Sequence, residues 1–297
     1  MFPRISIIMP SYNSGQYIGQ AIQSVIDQTF TDWELIVVDD GSTDEAVEMV
    51  RRYLGDPRIQ LHQQENQGAS AARNKAMQIS RGSFIAFLDS DDLWAPDKLS
   101  RQLEVFEQYP DIGVCATGIH TIDSKGVCHN RGHTRFFHGI ALPRLLYDLS
   151  IPMSSSVVRK AVFEKVGVFD LQLPCAMDYD FWLRASVDFP FYTIPENLTF
   201  YRSGHDSISL RMGDKRREIV MSRIVPRFLN EYGGSKYVKW YHVWKLHSIC
   251  YFGRASSQKQ VSHKLYWLLR SLLCYPMNRD ALGALFRVFF PKRKAIG

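Results

Sequence analysis

Apolar and polar positions follow two alternating patterns over the first hundred residues. Short apolar runs predict strands at residues 4–10, 33–38 and 83–88, and residues 58–62 predict a further strand between the last two. Between these runs, apolar positions recur every three to four residues. This spacing predicts helices over residues 17–26, from a Ser42–Glu45 capping box to Tyr53, and over Ala69–Ile79. Strands that are apolar on both faces and alternate with helices predict an α/β fold with a doubly wound, mainly parallel sheet in an α/β/α sandwich.

The pattern changes beyond residue 110. Residues 112–122 and 126–136 are expected to form an antiparallel pair, and helices are expected at 158–166 and 177–187. From residue 211 onward the pattern is helical. We therefore expect one domain over 1–210, with halves at 1–110 and 111–210, followed by a helical region at 211–297.

Composition restricts the function only weakly. The chain has 297 residues, of which 45% are hydrophobic and 22% charged, an ordinary globular balance. Its five scattered cysteines lack C-x-x-C spacing and suggest free thiols in a reducing compartment, and neither a signal peptide nor an apolar stretch of about 18 residues is present. We therefore expect a cytoplasmic protein, either free or peripheral on the inner face of the membrane. The net charge of +6 suits an anionic substrate, nucleic acid or an acidic membrane equally well.

Turn-forming and acidic residues follow three of the predicted strands. The strand ends run into Pro10–Asn13, Asp39–Ser42 and Asp89–Asp92. Ligands of an open parallel sheet bind outside the carboxyl ends of its strands, so these residues predict a site at one edge. The Asp89-x-Asp91 pair could present oxygens to Mg²⁺ or Mn²⁺, which keep open positions for substrate phosphates. The alternative is that these acids serve only as turn and cap residues.

Several other enzyme classes lack their motifs in this chain. The G-x-G-x-x-G of a nicotinamide dehydrogenase and the G-x-x-x-x-G-K-[ST] of a phosphate-loop NTPase are both missing. A nucleotidyltransferase would need a basic, Gly-rich loop after the first strand. A processive polysaccharide synthase would need Q-x-x-R-W and transmembrane helices.

An ordered series of motifs over about residues 4–205 resembles the family 2 glycosyltransferases, an inverting family with the GT-A fold. The matching stretches are Ile7–Asn13, Gln28–Phe30, Glu34–Asp44, Asn66–Gly68, Ala72–Asn74, Phe87–Asp92, Pro96–Leu99, Val166–Asp170 and Met177–Arg184. The resemblance implies transfer of a sugar from a nucleotide-diphosphate sugar, with a UDP-sugar favoured. It also implies a glycan or lipid-linked acceptor in the synthesis of cell-surface polysaccharide or glycoconjugate, with residues 1–110 as the nucleotide-sugar half and 111–210 as the acceptor half. A non-catalytic nucleotide-sugar-binding module, or a nucleotidyltransferase on a similar fold, remains as the alternative to a transferase.

The resemblance also implies roles for individual residues on the donor side. Tyr12 would stack on the base, and Asp40 would accept a hydrogen bond from the uracil imide. The other residues expected at the nucleotide are Pro10, Asn13, Asp39, Arg73, Asp89 and Ser90, and those expected at a Mn²⁺ or Mg²⁺ ion are Asp91, Asp89 and His205. For Arg73 the alternative is a structural arginine, and for His205 it is a solvated loop histidine.

The catalytic base is expected on the helix at 177–187. The family's Glu-Asp pair reads Met177-Asp178 here, and counting back from Trp182 and Arg184 gives Asp178 the position of the base. That carboxylate would take the proton of the acceptor hydroxyl as it attacks the anomeric carbon. Asp180 is the second candidate, with a structural role toward the helix or an arginine as its alternative.

The C-terminal region predicts a basic amphipathic surface. Over 258–275 one helical face carries Val261, Leu265, Leu268, Leu269 and Leu272, and a second apolar stripe over 281–289 precedes Lys292–Lys294. Residues 258–294 are therefore expected either to lie on an anionic membrane or to pack on the catalytic domain or a partner subunit of a homo-oligomer. No nucleic acid partner is expected.

Overall fold

The computed structural model describes residues 2–131, 136–147, 151–203 and 212–289. Contacts between Cα atoms divide the chain into two compact units. The first unit combines Met1–Ala141 with Asp148–Ser207, and the second combines Leu142–Tyr147 with Ile208–Gly297. The expectation that a domain over 1–210 is followed by a separate helical region over 211–297 stays a prediction.

The first unit alternates strands and helices. Its strands are β1 Ile5–Ser11, β2 Trp33–Asp39, β3 Ile59–Gln63, β4 Phe84–Phe87, β5 Leu93–Trp94, β6 Val114–Ile122, β7 Cys128–Arg131, β8 His138–Gly139, β9 Val157–Arg159 and β10 Phe191–Arg202. Its helices are α1 Ile18–Ile26, α2 Ala46–Arg51, α3 Ala69–Ile79, α4 Lys98–Gln108, α5 Lys160–Val166 and α6 Met177–Asp188, with a 3₁₀ turn at Met153–Ser155.

All of these strands join one sheet, whose main path runs β3-β2-β1-β4-β9-β6-β10-β5. β1 pairs parallel with β2 and β4, β2 pairs parallel with β3, and β6 pairs parallel with β10. β9 lies antiparallel between β4 and β6, while β5, β7 and β8 add short antiparallel edges. The predicted α/β fold with a mainly parallel sheet is confirmed.

Alternation along β1 shows how helices cover both faces of the sheet. Ile5, Ile7 and Met9 share one core with apolar residues of α1 and α4. Ile8 is also buried and points to the opposite face, because successive strand side chains alternate. Helix α3 packs on β1 and β2. Burial on both faces explains why the strands read as continuous apolar runs.

Strand register places the carboxyl ends of the first strands side by side. Ser11, the last residue of β1, pairs with Asp39, the last residue of β2. Ile8 pairs with Phe87 at the end of β4, and the N–H of Leu88 donates to the carbonyl of Ile8 at 3.1 Å. The polar segments that follow β1, β2 and β4 therefore emerge at the same sheet edge, as the sequence predicts.

The predicted capping box at Ser42–Glu45 is wrong. Helix α2 begins at Ala46 and ends at Arg51, and the Ser42 hydroxyl donates to Asp39 rather than capping the helix. A carboxylate three residues earlier offers that hydroxyl a charged acceptor, which competes with the neutral cap. The Asp44 carboxylate instead accepts the N–H of Ala46 at 3.0 Å.

The pair predicted at 112–122 and 126–136 is present as antiparallel β6 and β7, although residues 132–135 lie outside the described residues. The sequence reading missed α4, β9 and β10. In α4, Leu99, Leu103 and Phe106 recur at helical spacing on the buried face. That spacing is a signal that could have identified this helix.

The second unit is helical, which confirms the predicted C-terminal helices. Its elements are α7 Gly213–Ile219, a π-helical turn Val220–Ile224, α8 Val225–Glu231, α9 Trp240–Ser257, α10 Val261–Cys274 and α11 Arg279–Phe289, with short 3₁₀ turns at Arg144–Tyr147 and Gly234–Lys236. Ala255, Leu268 and Ala281 meet in a small core between α9, α10 and α11. Of the described helices, none has the length and hydropathy needed to cross a bilayer.

Candidate active site

The segment after β1 exposes an aromatic ring at the sheet edge. Asn13 has a positive φ of 49°, its side-chain oxygen accepts the N–H of Thr43 at 2.8 Å, and its own N–H donates to the Ser42 hydroxyl at 2.9 Å. These bonds hold the turn while Tyr12 remains 53% exposed. Pro10 is half-buried just before it. The ring of Tyr12 therefore has an open face on which a flat ligand can stack.

Asp39 holds the turn that follows β2. Its buried carboxylate accepts both the N–H of Ser42, at 3.1 Å, and the Ser42 hydroxyl. Gly41 between them has a φ of +77°, and a Cβ there would lie 3.0 Å from the backbone nitrogen of Asn66. Asp39 thus shapes the loop that carries Asp40.

Asp40 binds the loop between β3 and α3. Its carboxylate is buried and accepts the Gln64 side-chain N–H at 2.8 Å and the backbone N–H groups of Gln67 at 2.9 Å and Gly68 at 2.7 Å. A carboxylate offers about four acceptor positions, so about one is left for a ligand. Asn66–Gly68 is one of the stretches that match the family, but the sequence alone did not predict this contact with Asp40.

Arg73 lies against Asp89. The guanidinium is buried and forms an ion pair with the half-buried Asp89 carboxylate, whose backbone N–H donates to the Ser154 hydroxyl at 3.0 Å. The sequence reading expected Arg73 to reach the base or the diphosphate. The structure gives Arg73 a direct partner among the acids after β4, where its positive charge offsets part of their mutual repulsion. Its role toward the base or the diphosphate stays a prediction.

Three carboxylates crowd the turn after β4. Asp92 is fully buried, and its carboxylate accepts the backbone N–H of Arg202 at 2.8 Å. Burial, together with the negative charges of Asp91 and Asp89, raises the pKa of Asp92 well above its usual range. Ser90 is buried between these acids. A cation near this turn would reduce the mutual repulsion of these carboxylates.

The donor set at this turn fits a hard divalent cation. Carboxylate oxygens suit Mg²⁺ and Mn²⁺, which bind through one or two protein carboxylates and complete their shell with water and substrate phosphates. The described residues include no group of three His, Cys, Asp or Glu side chains that could hold a metal ion. His205, the third predicted ligand, lies outside the described residues.

Arg202, at the end of β10, connects the acidic turn to distant parts of the first unit. It is 1% exposed, and its guanidinium donates to the carbonyls of Asp91 at 2.7 Å and Asp123 at 2.9 Å and to the Gln20 side chain at 3.0 Å. Its guanidinium carbon also lies 4.6 Å from the centroid of the Tyr17 ring. The sequence alone did not predict these contacts of Arg202.

Helix α6 carries both candidate bases, and their surroundings differ. Asp178 lies in the first turn, half-buried, where the helix dipole favours a negative charge, and its carboxylate accepts the N–H of Tyr179 at 2.8 Å. Asp180 is 2% exposed and accepts the Nε–H of Arg184 at 3.0 Å. Arg184 also donates to the carbonyls of Val166 and Val168, which fixes the end of α5.

These contacts favour Asp178 over Asp180 as the candidate base. An aspartate that is buried and ion-paired with an equally buried arginine is poorly placed to take a proton from a substrate. The structure therefore supports the structural alternative for Asp180 and leaves Asp178 as the candidate base on this helix.

Comparison with known proteins identifies the family of this site. The family model for glycosyl transferase family 2 matches residues 6–167, more than half of the chain. The chain belongs to glycosyl transferase family 2. It is a glycosyltransferase, and the matched region contains every predicted donor-side residue except His205.

Relatives and solved structures agree with this assignment. The chain is 35% identical over 213 residues to TuaG of Bacillus subtilis (strain 168), named a putative teichuronic acid biosynthesis glycosyltransferase, with coverage of 70% of this chain and 82% of TuaG. The chain spans only 26–30% of the length of three other curated relatives that it matches.

Two solved structures share the fold of this glycosyltransferase at low sequence identity. S. aureus TarS 1–349 in complex with UDP-GlcNAc has a TM-score of 0.68 and 20% identity, covering 96% of this chain and 81% of TarS 1–349. The mannosyltransferase PcManGT from Pyrobaculum calidifontis, in complex with GDP-Man and Mn²⁺, has a TM-score of 0.58 and 16% identity, covering 98% of this chain and 88% of that chain. The predicted GT-A-type architecture is thereby confirmed.

Proposed function

We propose that this glycosyltransferase moves a sugar from a UDP-sugar to a glycan or lipid-linked saccharide by a single inverting displacement, assisted by a divalent cation. The observation that carries the proposal is the convergence, at one sheet edge, of an exposed stacking ring at Tyr12, the Asp40 carboxylate and the acidic turn at Asp89–Asp92. An aromatic face, an acceptor for a base N–H and a cation site match the three parts of a nucleotide diphosphate.

Tyr12 and Asp40 would bind the base. Tyr12 offers an open aromatic face, with Pro10 beside it at the end of β1. The acceptor position left on Asp40 suits the single imide N–H of uracil, and Asp39 keeps the loop in place through Ser42. Support for this donor comes from TarS, whose fold the chain shares and which was solved with UDP-GlcNAc.

Asp91, with Asp89, would hold Mn²⁺ or Mg²⁺ at the diphosphate. When bound, such a cation supplies positive charge that neutralises the departing diphosphate. Arg73 and Arg202 keep the acidic turn in position, the first through the Asp89 carboxylate and the second through the Asp91 carbonyl. The Mn²⁺ complex of PcManGT supports a metal requirement for this fold.

Asp178 would act as the general base. Its carboxylate takes the proton from the acceptor hydroxyl while that oxygen forms a bond to the anomeric carbon. The bond between the anomeric carbon and the diphosphate oxygen breaks at the same time, and its electron pair leaves with the nucleotide. Attack from the opposite face inverts the anomeric configuration, so no covalent enzyme intermediate and no second nucleophile are required.

The acceptor class rests on the relatives. TuaG, which matches over 70% of this chain, is named for the biosynthesis of teichuronic acid. We therefore propose an acceptor from cell-surface polysaccharide synthesis, either a growing glycan or a saccharide on a lipid carrier.

A donor screen tests the proposal. Purified protein is incubated with Mn²⁺, a lipid-linked saccharide acceptor and a panel of UDP-, GDP- and dTDP-sugars, and nucleotide release and product anomer are measured by chromatography and NMR. We expect release from a UDP-sugar and a product of inverted configuration. Faster turnover of a GDP-sugar would contradict uracil as the nucleobase of the donor. A retained anomeric configuration would contradict the single displacement.

A further inference from the structure

The hairpin of α10 and α11 buries one side within the helical unit. Leu268 on α10 and Ala281 and Ala284 on α11 are buried together with Ala255 of α9. The connection at 275–278 is short, so the two helices run antiparallel. The apolar stripe predicted on α10 is thus partly explained by packing, because Leu268 is fully buried.

Another side of the same hairpin is apolar and exposed. Large side chains there have exposed fractions of 53% at Leu269, 77% at Leu273, 47% at Leu282 and 62% at Phe286. At 100° per residue, Leu269 and Leu273 lie about 100° and 140° beyond the buried Leu268 of α10. Leu282 and Phe286 lie about 100° and 140° beyond the buried Ala281 of α11. In an antiparallel pair the same rotation leads to the same side of both helices. The four residues therefore form one surface, which we call the hairpin face.

The charge around the hairpin face is strongly one-sided. Residues 240–289 contain seven Lys and Arg residues and one acid, Asp280. With Lys292–Lys294 included, residues 240–297 carry a net charge of +9, so residues 1–239 carry −3 of the chain's total of +6. Arg270 and Arg279 lie in helical phase at the border of the hairpin face. Positive charge is therefore concentrated in the segment that exposes the apolar side chains.

The exposed apolar side chains and the positive charge around them together indicate which partner covers the hairpin face. A second copy of the chain would bring the same cations together across a two-fold interface, where like charges repel. An anionic lipid surface attracts each nearby Lys or Arg and accepts apolar side chains at its headgroup boundary. Charge complementarity thus favours lipid over self-association.

We propose that the hairpin face docks on the surface of an anionic lipid bilayer, with α10 and α11 lying along the interface. Leu269, Leu273, Leu282 and Phe286 insert at the headgroup boundary, and the flanking arginines contact lipid phosphates. This inference goes beyond the proposed function and does not depend on it, because it involves no donor, metal or acceptor.

Vesicle sedimentation of the full chain tests the inference. The vesicles contain either equal parts of phosphatidylglycerol and phosphatidylcholine or phosphatidylcholine alone. We expect the protein to pellet with the anionic vesicles and to be released as salt rises, since salt screens the attraction. The double variant Leu273→Ser/Phe286→Ser should lower the partition coefficient by at least about 10-fold, because two exposed apolar side chains no longer insert.

Leu171→Ser is the matched control, since Leu171 is 62% exposed but belongs to the first unit. It should partition like the wild type, and circular dichroism should show that all variants are folded. Equal binding to neutral vesicles, no binding to anionic ones, or unchanged binding of the double variant would each overturn the proposal. So would a concentration-dependent dimer, seen by light scattering, that the double variant abolishes.

Discussion

Lys98 gives the sharpest prediction about stability. Its side chain is fully buried, and its Nζ donates to the Gln102 side chain at 2.7 Å and lies 4.1 Å from the centroid of the Trp94 ring. Trp94 in turn donates to the carbonyl of Ser154, whose hydroxyl accepts the N–H of Asp89. Burial lowers the pKa of Lys98 from 10.5 to about 7.

That pKa shift sets a pH dependence with a definite sign. Below pH 7 Lys98 is charged in both the folded and the unfolded chain, so the full cost of burying the charge lowers the free energy of unfolding. That cost is about 5 kcal/mol, from about 1.36 kcal/mol for each unit by which the pKa is lowered. Between pH 7 and pH 10.5 only the unfolded chain binds the proton, so stability rises with pH and the cost disappears. Burial raises the pKa of the neighbouring Cys115 to about 12, so that thiol stays protonated in this window.

Lys98→Met removes the titrating group while keeping an unbranched apolar side chain. Urea unfolding at pH 7 and pH 9.5 gives the free energy of unfolding of both proteins. We expect the wild type to gain about 3 kcal/mol relative to the variant between these pH values. Lys75→Met, which removes a lysine near the surface, is the control for losing a lysine. An equal difference between wild type and Lys98→Met at both pH values would refute the reasoning.

Two further predictions concern the acidic turn. Asp91→Asn should abolish the difference in UDP affinity between Mn²⁺ and EDTA, since an amide is a poorer ligand for a hard cation. Calorimetry measures this affinity, with the exposed Asp111→Asn as control. A retained Mn²⁺ effect would exclude Asp91 as the ligand. Arg202→Lys should raise the Mn²⁺ concentration for half-maximal activity about 10- to 100-fold, because the Asp91 carbonyl loses its anchor, while UDP binding in EDTA stays unchanged. An unchanged Mn²⁺ requirement in a folded Arg202→Lys protein would contradict this positioning role.

The sequence predicted those parts of the fold that leave a local signal. Runs that are apolar on both faces marked β1, β2 and β4, and the polar residues after them were placed at one sheet edge because parallel strands end together. The donor-side residues followed from that placement and from the family resemblance. The roles of Tyr12, Asp40 and Asp91 in binding remain predictions.

Contacts between segments that are distant in the sequence could not be predicted from it. Asp40 binds backbone N–H groups of Gln67 and Gly68, and Arg202 binds the carbonyl of Asp91, yet neither contact has a local pattern. Ser42 shows the same difficulty at short range, because its charged neighbour Asp39 competes with the helix cap. Asp180 could be separated from Asp178 only when its buried partner Arg184 became visible.

Replacement of Asp178 tests the proposed mechanism most directly. Asp178→Asn keeps the size of the side chain but cannot accept the proton of the acceptor hydroxyl. The experiment measures sugar transfer from the active UDP-sugar together with UDP affinity by calorimetry. The exposed Asp188→Asn at the end of the same helix is the matched control, and Asp180→Asn reports on the structural ion pair.

We predict that Asp178→Asn lowers the transfer rate by about 10²–10⁴-fold, the usual contribution of a positioned general base, while UDP affinity is nearly unchanged. Because the interaction exists only in the transition state, kcat and kcat/KM should fall together. Asp188→Asn should transfer sugar at the wild-type rate. A folded Asp178→Asn protein with a near-wild-type rate of transfer would contradict the assignment and place the base elsewhere in the site.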